Sequence, residues 1–176
     1  AICAGNPFAA IADTPAEDGI QIHWDFEGGS LAKAERVSPG HFRCHVKGQA
    51  DQDGRNRQAS WFYFRVDGAK GRLLTFTMVD LRGEYNYQPN LGAIGKDTLP
   101  FYSSDRINWA PIETGSYDSS EPSLTYQVQI ASDRVWIAYV PPYTLDTFKK
   151  LTVYLARIPD VTIEEIGRSV QGREIP

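Results

Sequence analysis

Apolar side chains in this chain recur at every second residue, in short runs, and that period constrains the fold more than any other feature. Ile20, Ile22, Trp24 and Phe26 alternate with Gln21, His23 and Asp25. Phe42, Cys44 and Val46 alternate with His41, Arg43, His45 and Lys47, and Leu124, Tyr126, Val128 and Ile130 alternate with Thr125, Gln127 and Gln129. A period of two collects the apolar residues on one face, so each run reads as a half-buried strand. Trp61–Val66 and Val135–Val140 are apolar on both faces and read as central strands. Leu73–Leu81 sets Leu74, Phe76 and Met78 against Thr75 and Thr77, while Leu99–Tyr102 and Trp109–Ile112 carry a weaker strand signal.

Turn residues separate the runs: Glu27-Gly28-Gly29-Ser30, Ser38-Pro39-Gly40, Asp51 to Gly54 and Asp67-Gly68. Short strands spaced by such turns predict an all-β fold, an antiparallel β-sandwich of about 8–9 strands. Strands of unequal length, and a long loop from about Gly83 to Asp97 suited to a crossover at the end of the molecule, favour the sandwich over a barrel. One segment breaks the alternation. Leu145, Phe148, Leu151 (or Thr152) and Leu155 fall at helical spacing, which predicts a short C-terminal helix near 145–156. Thr144 stands where it caps that helix, Asp146 complements the dipole in the first turn, and Pro141-Pro142 ends the strand before it. The domain reading is therefore an N-terminal tail over 1–18, a sandwich with its helix over 19–158, and a linker with a further alternating run over 159–176.

A chain of 176 residues is long enough to bury about 70% of its unfolded surface in a real core. Its net charge of −4 and the lack of any Lys/Arg run argue against a nucleic-acid partner. No stretch approaches the roughly 18 apolar residues of a membrane span. Cys3 and Cys44 are too few for a disulfide framework and read as free thiols. Ala1–Ala12 is uncharged and Ala-rich, and Ala9, Ala10 and Ala12 suit a signal-peptide cleavage site. Read as a signal remnant, the tail makes the protein secreted or periplasmic; read otherwise, it leaves the protein cytoplasmic.

A search for chemistry returns no constellation. On a strand His41 and His45 share a face with their backbones about 13 Å apart, and Cys44 points the other way, so they do not converge on a zinc ion. His23 lies on a polar face with Gln21 and Asp25 and reads as a surface histidine. The chain has no G-x-S-x-G elbow, P-loop, G-x-G-x-x-G or H-E-x-x-H. Asp51-Gln52-Asp53-Gly54 resembles the start of a calcium loop but lacks the later Glu, and reads as a solvated turn. Aromatics make up 12% of the chain, enough to ask which of them form core. Trp24, Phe62 and Phe64 fall on apolar faces; Trp61, Tyr63, Tyr85, Tyr87, Tyr102 and Trp109 are open, and a flat display of them is how a carbohydrate-binding module holds sugars.

Taken in order, Asp25-Phe26-Glu27-Gly28-Gly29-Ser30, Trp61-Phe62-Tyr63-Phe64-Arg65-Val66, Gly71-Arg72 before Leu74-Thr75-Phe76, Tyr85-Asn86-Tyr87, Trp109, Tyr139-Val140-Pro141-Pro142-Tyr143-Thr144 and Ser169-Val170-Gln171-Gly172-Arg173 resemble the N-terminal β-sandwich domain of cytosolic-type zinc carboxypeptidases. The resemblance covers roughly Gly19 to Pro176. The ending from Ile166 to Ile175 resembles the entry into the catalytic domain of such enzymes. There, the resemblance implies, an H-x-x-E pair and a later His bind zinc and a Glu acts as general base. This chain has no His followed three residues later by Glu or Asp, so the resemblance places no catalytic or metal residue here. It implies a non-catalytic chain with no cofactor of its own, zinc in a downstream carboxypeptidase domain in cis, and a protein or peptide substrate for the whole. Pro141, Pro142, Tyr143, Ser169, Gly172 and Arg173 are then candidate domain-interface residues. Gly172 is expected to serve a turn and Arg173 a salt bridge or carbonyl contact. The alternatives are a carbohydrate-binding module and a protein-interaction domain.

Overall fold

The computed structural model describes residues 19–51 and 53–176. Cys3 and Ala1–Ala12, and with them the signal-remnant reading, lie outside the described residues. In chain order the strands are β1 (Gln21–His23), β2 (Lys33–Ser38), β3 (His41–His45), β4 (Gln49–Ala50), β5 (Arg57–Gln58), β6 (Tyr63–Asp67), β7 (Leu73–Val79) and β8 (Arg82–Tyr85). They continue with β9 (Gln88–Leu91), β10 (Phe101–Ser103), β11 (Ala110–Pro111), β12 (Gly115–Asp118), β13 (Ser123–Gln129) and β14 (Arg134–Ala138). Helix α1 (Leu145–Leu155) follows, then β15 (Gly167–Arg168) and β16 (Glu174–Ile175). The chain divides into two units, one up to Val140 and one from Pro141 to Pro176.

The first unit is an all-β sandwich. One five-stranded sheet runs β1-β6-β14-β10-β11 and the other β12-β13-β7-β3-β2. The two runs that are apolar on both faces, β6 and β14, are interior strands of the first sheet, as their composition requires. In the second sheet the alternation of β7 is explicit. Leu74, Phe76 and Met78 are fully buried, while Leu73 on the opposite face is 55% exposed. Phe64 of the first sheet meets Phe76 of the second at 5.4 Å, and Phe76 also contacts Phe42 and Tyr126, each at 5.8 Å. The core is thus a stack of aromatic side chains interleaved from both sheets.

Two features depart from the sequence expectation. Among the described residues every strand pairing is antiparallel except β3–β7, which run parallel. Residues 46–72 cross to the first sheet and return between them, and a long crossover is what a parallel pair needs. The stretch expected as a loop from Gly83 to Asp97 begins instead as the β8–β9 hairpin, part of a small sheet β4-β5-β8-β9. Its turn places Asn86 and Tyr87 at φ 50° and 60°, the left-handed pair of a two-residue hairpin. Gly68 closes the β6 end at φ +75°, where an added Cβ would lie 2.4 Å from the Gly19 carbonyl oxygen; only glycine fits.

The second unit holds α1 and the β15–β16 hairpin. Thr144 caps α1 as expected, its Oγ1 accepting from the Thr147 N–H at 3.3 Å, and Lys150 pairs with Asp146 one turn back at 2.7 Å. The alternating run Val161–Ile166 forms no strand. No helix among the described residues is long and apolar enough to cross a membrane.

Candidate functional site

The six candidate interface residues all lie in the second unit. Pro141, Pro142 and Tyr143 lead into α1, and Tyr143 is 64% exposed. Ser169, Gly172 and Arg173 come together in the hairpin turn. The Gly172 N–H donates to the Ser169 carbonyl and the Ser169 N–H to the Arg173 carbonyl, both at 2.8 Å; the Arg173 N–H reaches Ser169 Oγ at 3.1 Å. Gly172 has φ +74°, so it serves the left-handed position that closes a three-residue hairpin loop. The Arg173 guanidinium donates to the Gln171 side-chain carbonyl, and the arginine that ties the two strands of the hairpin together is Arg168. Arg168 donates to the Gly172 carbonyl at 3.1 Å and pairs with Glu165 at 3.0 Å and Glu174 at 3.1 Å. Register decides this, because Arg168 lies opposite Glu174 across the ladder.

No residue from Pro141 onward is buried. Leu151, Tyr154, Ile166, Val170 and Ile175 are between 42% and 107% exposed.

The three histidines are dispersed. His23 is on β1 of the first sheet, and His41 and His45 are on the outer face of β3 in the second. His41 Nε2 meets Thr77 Oγ1 at 2.9 Å; His45 lies between Asp80 at 2.8 Å and Glu35 at 3.2 Å. Cys44 points inward and is fully buried, and burial pushes its thiol far above the ordinary range. Among the described residues no group of three metal-ligating side chains converges, so the zinc implied for a carboxypeptidase finds no ligand set in them.

Of the open aromatics, Tyr102 packs half-buried against the core, and the other five fall into two groups. Tyr63 is buried on the outer side of β6, ringed edge-to-face by Phe26 at 4.9 Å, Trp109 at 6.0 Å and Trp61 at 6.4 Å. Tilts of 64–87° make a packed cluster, not a flat platform. Tyr85 and Tyr87, at 59% and 65% exposure, stand at the β8–β9 tip. That tip is braced from below: the Asn86 N–H donates to Asn56 Oδ1 at 2.9 Å and the Tyr87 N–H to the Arg55 carbonyl at 3.0 Å.

Sequence reasoning missed the loop after β10. There the Asp105 carboxylate accepts from the Ile107 and Asn108 N–H groups and from Asn108 Nδ2, each at 2.8 Å, and from Ser103 Oγ at 3.0 Å. Those bonds hold the Asp105 carboxyl well below the usual carboxylate range. They also fix Arg106 in the left-handed region at φ 65°. From there its guanidinium covers the Trp136 ring at 5.4 Å and stands near enough to the Tyr63 phenol to favour its ionised form. Burial raises the Tyr63 pKa, against the lowering effect of Arg106; the Glu27 charge adds to the rise.

Residues 22–140 match a family model described as the cytosolic carboxypeptidase N-terminal domain. An uncharacterized protein of Zymomonas mobilis is 25% identical over 162 residues, covering 89% of this chain and 38% of that protein. Among solved structures, a metallo-carboxypeptidase from Burkholderia cenocepacia superposes with a TM-score of 0.70 at 23% identity, over 88% of this chain and 38% of its own. A metallo-carboxypeptidase from Pseudomonas aeruginosa, in complex with (2-guanidinoethylmercapto)succinic acid, gives 0.70 at 25% identity with the same coverage. This chain therefore spans little more than a third of the length of these relatives.

Proposed function

This chain belongs to the cytosolic carboxypeptidase N-terminal domain family, and from that premise we propose that it is the non-catalytic accessory domain of a zinc-dependent carboxypeptidase. Its partner in this reading is a catalytic domain in the same polypeptide, which holds the zinc and hydrolyses the protein or peptide substrate. The sandwich supports the folding of that domain or shapes access to it.

The boundary at Val140 carries the reading. The family match ends there, the self-contained core ends there, and the unit beyond it leaves Leu151, Tyr154, Ile166 and Val170 exposed. A neighbouring domain that covers Leu151, Tyr154, Ile166 and Val170 supplies what that unit lacks. We place the seam at Val140–Pro141, with Pro141, Pro142 and Tyr143 at its start. Ser169, Gly172 and Arg173 lie in the hairpin that the catalytic domain would extend. A sugar-binding role is disfavoured by the edge-to-face packing of Trp61, Tyr63 and Trp109. The exposed Tyr85 and Tyr87 support the competing reading of a partner in trans.

The test combines this chain with the separately produced carboxypeptidase domain of its parent. Amides of residues 141–176 should gain protection from hydrogen exchange in the mixture, and this chain alone should hold less than stoichiometric zinc and hydrolyse no peptide. Tightly held stoichiometric zinc with turnover in this chain alone, or no gain in protection, overturns the reading.

A further inference from the structure

Trp136 lies half-buried on the outer face of the first sheet, in register with Arg65 on one neighbouring strand and Ser103 on the other. Arg134 shares its face two residues away and places its guanidinium 5.9 Å from the ring centroid, while Arg106 lies over the ring at 5.4 Å. Arg106 is held there on a rigid base, the loop locked by the Asp105 carboxylate.

The donors on this face outnumber its acceptors. Each guanidinium offers five N–H donors and accepts nothing. Arg65 and Arg134 share a single carboxylate, Asp67, at 2.8 Å and 3.3 Å. His23 also approaches it, at 3.5 Å. Asp105 is occupied by its own turn. Arg106 pairs with no carboxylate among the described residues, and Arg65 Nε is buried without an acceptor. The Tyr63 phenol beside Arg106, and the Glu27 charge that acts on it, add one hydroxyl and one carboxylate, and the guanidinium donors still outnumber the charged oxygens. A sugar brings donors as well as acceptors, and a cation is repelled; an oxyanion with several oxygens matches the guanidinium forks. The net charge of the chain is −4, so long-range attraction does not explain such binding and the local cluster must. We propose that the face around Trp136, with Arg106 and Arg134 as its principal ligands, binds a compact multivalent oxyanion of the phosphate type. The proposal is independent of the accessory-domain reading.

The experiment is a titration of the ¹⁵N-labelled chain with inorganic phosphate at constant pH and ionic strength. The Trp136 indole N–H should shift along a saturable curve while that of Trp24 stays in place. Arg106→Gln should weaken binding at least about tenfold, the usual effect of losing a charge-assisted hydrogen bond, and Arg134→Gln should weaken it less. A drift common to all the indole signals that never saturates overturns the proposal, as does an Arg106→Gln variant with the original affinity. Should Arg106→Gln disturb the loop, the exposed Arg134→Gln decides: unchanged affinity there overturns it.

Discussion

Phe76→Ala is the sharpest test of the sandwich, because Phe76 is the residue through which both sheets meet. Its side chain is fully buried and contacts Phe42, Phe64 and Tyr126 at ring distances of 5.4–5.8 Å. Removing a buried phenylalanine costs about 3–5 kcal/mol through lost transfer energy and the cavity left behind. Three aromatic contacts at about 0.5–1.5 kcal/mol each put Phe76 in the upper half of that range. Domains of this kind are stable by about 5–15 kcal/mol, so the variant should be marginal. Leu73→Ala is the control: it lies on the same strand, on the outer face, 55% exposed, and should change stability by no more than about 0.5 kcal/mol. The assay is urea unfolding followed by tryptophan fluorescence, since Trp24, Trp61, Trp109 and Trp136 all precede Val140 and report on the sandwich. A Phe76→Ala cost under about 2 kcal/mol, or one no larger than that of Leu73→Ala, would refute the interleaved core. A changed urea slope would show instead that the sheets come apart separately.

Three further outcomes follow from named groups. The Asp105 carboxyl titrates below its unfolded value near 3.9, so it stabilises the fold fully above that value and the contribution fades as pH falls through the depressed folded pKa; the midpoint of urea unfolding should drop below about pH 4 more steeply in the parent chain than in Asp105→Asn, and parallel curves would contradict the assignment. Buried Cys44 should resist iodoacetamide at pH 8 in the native chain and react once urea unfolds it, as peptide mapping would show; ready native alkylation is incompatible with its place in the core. Gly68→Ala combines a left-handed φ with a Cβ 2.4 Å from a carbonyl oxygen and should cost about 2–3 kcal/mol, read as a melting point lower by roughly 5–10 °C.

What could be read from the sequence was whatever one strand decides for itself. β3, β7 and β13 carry one clean apolar face each, and their inward residues are buried as the alternation requires. β2 could not be read that way. It is the edge of the second sheet, and Lys33, Glu35 and Arg36 with a bulge between Arg36 and Ser38 protect an open edge at the expense of any apolar pattern. The β8–β9 hairpin escaped for a related reason. Most of it is exposed, Pro89 interrupts it, and its turn uses Asn86-Tyr87 where Asn-Gly is the recognisable signal. Partners from residues 55 and 56 hold that turn, and no local pattern announces them. In the second unit Gly172 announced its turn, yet the anchoring role fell to Arg168, because only strand register tells one arginine from the other. Arg106 and Trp136 are thirty positions apart, joined by a loop conformation that Asp105 imposes.

The outer faces of the two sheets show where a neighbour would gain by binding. On the second sheet Thr77 Oγ1 bonds Thr125 Oγ1 at 3.0 Å and His41 at 2.9 Å, and Gln127 Nε2 donates to Thr75 Oγ1 at 3.3 Å. Those short side chains satisfy one another, and covering them exchanges water bonds for nothing better. The first sheet presents a half-buried indole, guanidinium groups short of acceptors, and a non-glycine residue held at positive φ. Strain of that kind costs of order 1–3 kcal/mol, and the bonds to Asp105 offset it while Arg106 lies over Trp136. The outer face of the second sheet thus satisfies its own side chains, while that of the first leaves Arg65 Nε and His23 Nε2 buried without a hydrogen-bond partner. Beyond Val140 the second unit repeats the contrast in apolar form, with Arg168 tying its hairpin together while Ile166 and Val170 remain uncovered.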